Sequence, residues 1–296
     1  MRMECEAVAK VNLFLKVTGR RDDGYHELET LFWPFPVVAD RLQVEFDAEP
    51  GVTLRSSDPE IPTDSRNLAV RAAERYAAAG GIAPAWKLVL DKNIPVAAGL
   101  GGGSSDAAAV LRLLNDRFRR LSETELKRIA LELGADVPFF LNPVPAVATG
   151  VGEVITPLEG VFSPPDFLVL FPGFPVSAKW SYSHLDPRRI GPAEPGKPAA
   201  LIAALRSGDA AGVASAWEND LEPPLFVKFP LLRLLRDELL AAGAAGVMIS
   251  GSGPSLLAVF PPGGGAARAA AAIAAAHPEN RQLRLFFSGR SFDDGR

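Results

Sequence analysis

Apolar and polar positions along this chain change period several times. From Ala7 to Val17 they alternate, with Val11, Leu13, Leu15 and Val17 on one face, which predicts a strand. Arg41 to Phe46 alternates through Leu42, Val44 and Phe46 and predicts another. Between Arg66 and Ala79 the period lengthens, with Leu68, Ala72 and Tyr76 at helical spacing, and Gly80-Gly81 ends that helix. Lys87 to Asp91 predicts a strand and Ser105 to Asn115 a helix. Ser122-Glu123-Thr124-Glu125 is a capping box that opens a helix running to Gly134, and Val144 to Gly150 returns as a strand.

The Pro-rich stretch Val161-Phe162-Ser163-Pro164-Pro165 suits a junction, which divides the chain into residues 1–160 and 161–296. Beyond it, Phe167 to Phe171 predicts a buried strand, followed by helices at Ala199 to Leu205 and Ala210 to Trp217. Leu231 to Ala242 is amphipathic and is capped by Gly243. Val247 to Ile249 and Leu256 to Phe260 are short strands around Ser250-Gly251-Ser252-Gly253-Pro254. Helix Ala266 to Ala276 and strand Leu283 to Phe287 close the chain. Strand, helix, strand, strand, helix, strand is a ferredoxin-like order.

Chemistry concentrates between Pro95 and Ala109, in Pro-Val-Ala-Ala-Gly-Leu-Gly-Gly-Gly-Ser-Ser-Asp-Ala-Ala-Ala. Gly99, Gly101, Gly102 and Gly103 remove four β-carbons, so successive N–H groups can converge on one point. The helix behind them adds further free N–H donors and a positive dipole end. An anion cradle results, suited to a nucleotide triphosphate. A Walker A loop is excluded, because no Lys-Ser/Thr pair follows the last glycine. A dinucleotide fingerprint is excluded too, since Ser104 stands where its third glycine belongs. The competing reading is a flexible turn before a helix.

Composition narrows the function class. The 296 residues, 48% of them apolar, suffice for two cores. With 31 basic and 35 acidic residues the net charge is −4, which disfavours a general nucleic-acid or anionic-membrane surface. Cys5 is the only cysteine, so no intrachain disulfide forms, and it reads as a small buried filler. The N-terminus lacks the apolar core of a secretory signal, and no apolar run is long enough for a membrane span. A soluble cytoplasmic protein is expected.

Three further segments carry polar groups worth weighing. Lys10 and Asn12 lie two apart, so on a strand they share a face, where they either bind phosphate or hydroxyl oxygens or form a solvated surface. Asp23-Gly24 marks a turn, and Tyr25-His26 beyond it offers a flat ring and ring nitrogens for a base, or else ordinary hairpin polars. Asp136, in Gly134-Ala135-Asp136-Val137-Pro138-Phe139-Phe140, is a lone carboxylate among apolar residues, either a general base or an Asx-turn. Gly251 and Gly253 either approach a nucleotide or form a tight connection.

Taken together and in this order, these segments resemble the superfamily of galactokinase, homoserine kinase, mevalonate kinase and phosphomevalonate kinase. Its phosphate loop, P-x-x-x-G-L-G-G/S-S-S/G, falls here on Pro95 to Ser105. The resemblance spans nearly the whole chain through Ala9-Lys10-Val11-Asn12-Leu13, Gly24-Tyr25-His26, the glycine loop, Gly134 to Pro138 and Ser250 to Pro254.

The resemblance implies an α+β protein with a ribosomal S5-like N-terminal domain, a ferredoxin-like C-terminal domain and the site between them. It implies transfer of the γ-phosphoryl of ATP to an alcohol, in the branch whose acceptor is a cytidyl-diphosphate-linked methylerythritol of the non-mevalonate isoprenoid route. Lys10 and Asp136 fall on the catalytic pair. Pro95, Val96, Ala97, Ala98, Gly99, Leu100, Gly101, Gly102, Gly103, Ser104 and Ser105 fall on the ATP loop, and Asn67 near the adenine, although Asn67 also reads as a helix cap. Asn12, Tyr25 and His26 fall on the acceptor site. Tyr182 is the expected second aromatic wall, with Trp180 as the alternative, and Ala178 stands where relatives often carry Thr. Mg²⁺ is expected with ATP, touched by Ser104 or Ser105 and assigned to Ser105. Small molecules are the expected partners, with neither nucleic acid nor membrane among them.

Overall fold

The computed structural model describes residues 1–46 and 48–288. It separates into two compact units, and they do not divide at one point in the chain. The first holds residues 1–10, 33–96 and 101–157; the second holds 11–32, 97–100 and the chain from Leu158 on. The Pro-rich stretch at 161–165 follows the last crossing, but two earlier segments also join the second unit. Their contacts explain this. Leu15 and Val17 pack with Leu185 and Leu221, and Leu15 N–H donates to Glu218 O at 2.8 Å.

The first unit centres on a sheet built from β1 (Arg2–Arg20), β2 (His26–Phe46), β3 (Gly51–Ser56), β4 (Ala85–Asp91), β5 (Ala146–Thr149) and β6 (Val154–Pro157). Its order is β3-β4-β2-β5-β6, with β1 also paired to β2. Leu42 and Val44 of β2 stand opposite Leu90 and Leu88 of β4, and all four are buried. The helices of this unit are α1 (Leu68–Gly80), α2 (Gly102–Phe118), α3 (Glu123–Leu133) and α4 (Val137–Leu141). Ala69, Ala72 and Ala73 of α1 and Ala107 to Ala109 of α2 are buried, and such small side chains let the two helices pack closely. The capping box forms as expected: Ser122 N–H donates to Glu125 Oε2 at 2.8 Å and Glu125 N–H donates to Ser122 Oγ at 3.3 Å.

The second unit contains β7 (Asp166–Phe171), α5 (Ala178–Ser183), α6 (Lys197–Ser207), α7 (Ala210–Ala216), α8 (Glu222–Lys228), α9 (Pro230–Ala241), β8 (Gly246–Ile249), β9 (Leu256–Phe260), α10 (Gly265–Ala276) and β10 (Arg284–Phe287). Its sheet runs β10-β7-β9-β8 with every pairing antiparallel. That spatial order of a βαββαβ chain is the ferredoxin-like arrangement, with the first crossover enlarged to α5 through α9. Leu232, Leu235 and Leu239 of α9 and Ala266, Ala269 and Ile273 of α10 cover the sheet's Leu168, Leu170, Leu256 and Ala258.

One acidic group in this unit works against stability at neutral pH. Glu222 opens α8, and its Oε1 accepts from Ile249 N–H at 3.1 Å. Burial pushes its carboxyl up to about 7, outweighing the pull of Arg236 and Arg189. Between the ordinary carboxylate range and that value the folded chain holds a proton that the unfolded chain has released. Stability therefore falls as pH rises through that window. Glu222→Gln is expected to raise stability by about 1 to 2 kcal/mol at pH 8 and to change it little at pH 4.5. Thermal melts of both proteins at the two pH values check this, and an equal shift at both would refute it.

Candidate active site

In the first unit the structure brings Lys10 and Asp136 together. Lys10 lies on β1 with only 4% of its surface exposed, so the solvated-face reading of this strand is overturned. Asp136 lies between the end of α3 and the start of α4, where Val137, Phe139 and Phe140 are buried. It precedes the first residue of α4, yet its side chain makes no capping bond. The Asx-turn reading therefore fails, and the carboxylate is directed elsewhere. Its Oδ2 lies 3.5 Å from Lys10 Nζ, with the Asp136 side chain 36% exposed and that of Lys10 5% exposed. A sheltered ammonium thus faces a carboxylate that still opens to solvent.

The same unit holds the second half of the glycine loop. Helix α2 begins at Gly102, three residues before the expected Ser105. Gly102, Gly103 and Ser104 form its first turn, and Ser105 N–H makes the bond back to Gly101 O at 2.9 Å. The N–H groups of the first turn have no helical carbonyl to meet, which leaves them available to an anion. Gly101 caps the helix at φ +73, and a β-carbon there would come 2.7 Å from the Phe140 ring and 3.2 Å from Lys10 Cγ. Only glycine fits, and its fit places the open end of α2 against the stem of Lys10. Gly103 is exposed, Ser104 half-buried and Ser105 buried; Pro95 is half-buried and Val96 exposed.

Residues 97–100 of the loop are held within the second unit. Ala97 O accepts from Val176 N–H at 3.1 Å and Ala98 O from Ser255 N–H at 3.3 Å. Ser250 Oγ donates to Gly99 O and accepts from Asn12 N–H, each at 3.2 Å. A β-carbon on Gly99 would lie 2.3 Å from Ser250 O. Leu100 is buried. Gly251 and Gly253 provide the tight connection: a β-carbon on Gly251 would meet Asn12 Oδ1 at 2.8 Å, and one on Gly253 would meet Leu225 at 2.9 Å. Asn12 is buried, not solvated, and its Nδ2 donates to Thr30 Oγ1 at 2.7 Å.

The aromatic group also belongs to the second unit. Arg21 and Tyr25 close the turn, with Arg21 N–H donating to Tyr25 O at 2.8 Å. Tyr25 is 62% exposed. His26 stacks on Tyr182, with ring centroids 5.3 Å apart and planes 24° apart. Burial, aided by Arg20, holds His26 below its ordinary pKa, so its ring is neutral and offers one donor and one acceptor at neutral pH. Trp180 is engaged elsewhere, stacked on His184 at 4.2 Å and covered by Lys228 Nζ at 4.0 Å. Ala178 is exposed at the start of α5. In the first unit Asn67 is the cap of α1: its Oδ1 accepts from Ala69 N–H at 2.8 Å and its Nδ2 donates to Pro62 O at 2.9 Å.

Thr30, which holds Asn12, was not legible in the sequence, because nothing near it marks a site. The same holds for Asn219, whose Nδ2 donates to Ile249 O and Gly251 O at 2.8 Å and fixes the connection under Asn12. Among the described residues no cluster of three or more His, Cys, Asp or Glu is placed to hold a metal, and no helix is long and apolar enough to cross a membrane.

The family model for the GHMP kinases N terminal domain matches residues 67–142, and that for the GHMP kinases C terminal region matches residues 201–279. A 4-diphosphocytidyl-2-C-methyl-D-erythritol kinase of Solidesulfovibrio magneticus is 46% identical over 255 residues, 85% of this chain and 86% of that one. The kinase of the same name from Chlorobium luteolum is 39% identical over 278 residues, 93% of this chain and 94% of that one. A crystal structure of 4-(cytidine 5'-diphospho)-2C-methyl-D-erythritol kinase superposes with a TM-score of 0.80 at 40% identity, covering 97% of this chain and 99% of that one. Homoserine kinase from Cytophaga hutchinsonii shares the fold, with a TM-score of 0.74 at 20% identity over 97% of this chain and 94% of that one.

Proposed function

The chain belongs to the 4-diphosphocytidyl-2-C-methyl-D-erythritol kinases of the GHMP kinase family, and from that membership we propose which of its residues carry the phosphoryl transfer. The reaction moves the γ-phosphoryl of ATP to the 2-hydroxyl of the cytidyl-linked methylerythritol, a step of the non-mevalonate route to isoprenoid precursors. Phosphoryl transfer asks a protein mainly for positioning and charge stabilisation. The observation that carries the assignment is the pairing of Lys10 Nζ with Asp136 Oδ2 at 3.5 Å, with the Lys10 stem against Gly101 at the open end of α2.

In this reading the first-turn N–H groups of Gly102, Gly103 and Ser104 hold phosphate oxygens, while the segment Pro95 to Leu100 shapes the loop. Asp136 accepts the hydrogen bond of the attacking hydroxyl and aims its oxygen at the γ-phosphorus. Lys10 stabilises the negative charge that spreads over the transferring phosphoryl. Magnesium that arrives on the phosphates needs only one or two protein oxygens, and a half-buried hydroxyl in the first turn of α2 fits that need. Ser104 is the better donor of the two, since Ser105 is buried. Bound there, the ion would neutralise phosphate charge. Asn67 Oδ1 is taken by the α1 cap and its Nδ2 is bonded to Pro62 O, so its part near the adenine is to fix the helix start and the loop before it.

Tyr25, His26 and Tyr182 are assigned to the cytosine. Tyr25 supplies an exposed face for stacking, and His26, held by Tyr182, supplies a donor and an acceptor to the base edge. Asn12 positions the strand beside them through its bonds to Thr30 and Ser250. Stacking of a base on an aromatic ring contributes about 1–3 kcal/mol, so Tyr25→Ala is expected to raise the acceptor KM by roughly 5- to 150-fold and to leave the ATP KM alone. Steady-state kinetics with the cytidyl-linked acceptor, mevalonate and homoserine test both levels. An unchanged acceptor KM removes Tyr25 from the pocket, and turnover on mevalonate alone overturns the base-recognition reading.

A further inference from the structure

Behind the phosphate loop, within the first unit, lies a charged cluster that the reaction does not use directly. Asp40 of β2, Lys92 just beyond β4 and Asp106 of α2 have side chains no more than 5% exposed. Lys92 Nζ donates to Asp40 Oδ2, and it donates to Asp106 Oδ2 at 2.9 Å. The other oxygen of Asp40 accepts from Asn93 N–H at 2.6 Å and from Ile94 N–H at 2.8 Å. The segment that leads into Pro95 is therefore fixed to Asp40, and α2 is fixed to the same ammonium through Asp106. Lys92 Nζ also lies 3.0 Å from the place a β-carbon on Gly102 would take, directly under the first turn of α2. Asp106 Oδ1 is buried with no partner, a cost that packing alone does not justify.

Three buried ionisable side chains, with burial and Asp40 pushing the Asp106 carboxyl up to about 7, are a poor way to gain stability, because well-packed apolar side chains serve as well or better. Their value here is geometric. We propose that Asp40, Lys92 and Asp106 are positioning residues which brace the two flanks of the phosphate loop, residues 92–94 and 102–106, against one ammonium and so keep the N–H groups of Gly102, Gly103 and Ser104 aligned on the triphosphate. The proposal rests on the reading of those N–H groups as the ATP cradle. Lys92 itself touches no phosphate, since its ammonium is enclosed by the two carboxylates. Those carboxylates hold it charged in spite of burial, which by itself pulls the other way.

The test is the double variant Lys92→Met/Asp106→Leu, which removes an ion pair as a unit and leaves Asp40 with its two backbone donors. The ATP KM is expected to rise about tenfold or more, because small misplacements of binding groups are expensive, while the acceptor KM stays within about twofold. A folded double variant with an unchanged ATP KM, or one that loses kcat with both KM values unchanged, overturns the proposal. Should it not fold, Asp106→Asn is compared with Asp106→Leu. The first keeps an acceptor oxygen for Lys92 and is expected to retain the wild-type ATP KM, whereas the second raises it; equal ATP KM values refute the brace. Gly101→Ala distinguishes the two levels. If it raises the ATP KM and the double variant does not, only the brace fails; if it does not, the cradle reading itself fails.

Discussion

Asp136→Asn is expected to lower kcat by about three orders of magnitude while the ATP KM stays within about twofold. The substitution keeps the size and shape of the side chain and removes its charge and its capacity to accept a proton. Three features of the structure make this a chemical change and not a structural one. Asp136 makes no capping bond to α4, so no helix end is lost with it. Its side chain is one-third exposed, so an amide there is not buried without partners. Its charged neighbour, Lys10, keeps an oxygen to face. With ATP held as proposed, by the loop and the first turn of α2, its affinity does not depend on the carboxylate. Rapid-quench measurement of phosphoryl transfer, with nucleotide binding followed separately, reads the two effects. A variant that turns over normally would reduce Asp136 to a connecting residue between α3 and α4.

How far the sequence could be read depended on whether each segment had one solvent-facing side. Helix α3 announces itself through Ser122 and Glu125, because both ends of a capping box lie within four residues. Helix α9 follows from its two-sided period, with Leu232, Leu235 and Leu239 buried and Leu231, Leu234 and Leu240 exposed, whereas β9 is buried throughout and is marked only as a short apolar run after Ser250 to Pro254. Strand β2 was legible only from Arg41 onward. Its earlier part, through Leu31, Phe32, Trp33 and Phe35, is buried on both faces and carries Pro34 and Pro36, so alternation disappears. Strand β1 misled in the opposite direction. Lys10 and Asn12 look like a wet face, yet residues 9–17 are buried throughout.

The site was legible as a set of residue types and illegible as geometry. The glycines marked the proposed anion cradle, but they also read as helix breakers, which moved the expected start of α2 to Ser105. Residues two apart on a helix point about 200° away from each other, so Trp180 and Tyr182 cannot share a wall, and only the fold decides that Tyr182 meets His26. Asp40 lies more than fifty residues from the loop it supports, and no local pattern distinguishes it from a surface carboxylate at a strand bend.

Lys10→Met should cost about two to three orders of magnitude in kcat, because a donor aimed at developing charge in a water-poor site is of that order. Methionine matches the length of the stem and keeps the packing against Gly101, so the loop is not reshaped. The decisive measurement is the double variant Lys10→Met/Asp136→Asn. Groups that act as one unit on one transition state lose most of their effect when either is removed, so the double variant should be hardly slower than Asp136→Asn alone. Two residues 3.5 Å apart that served unrelated ends would instead multiply their losses. A product of the single effects would separate Lys10 from the carboxylate and leave it as a phosphate-binding cation only. A near-equal double and single would tie both to the step in which the hydroxyl oxygen meets phosphorus.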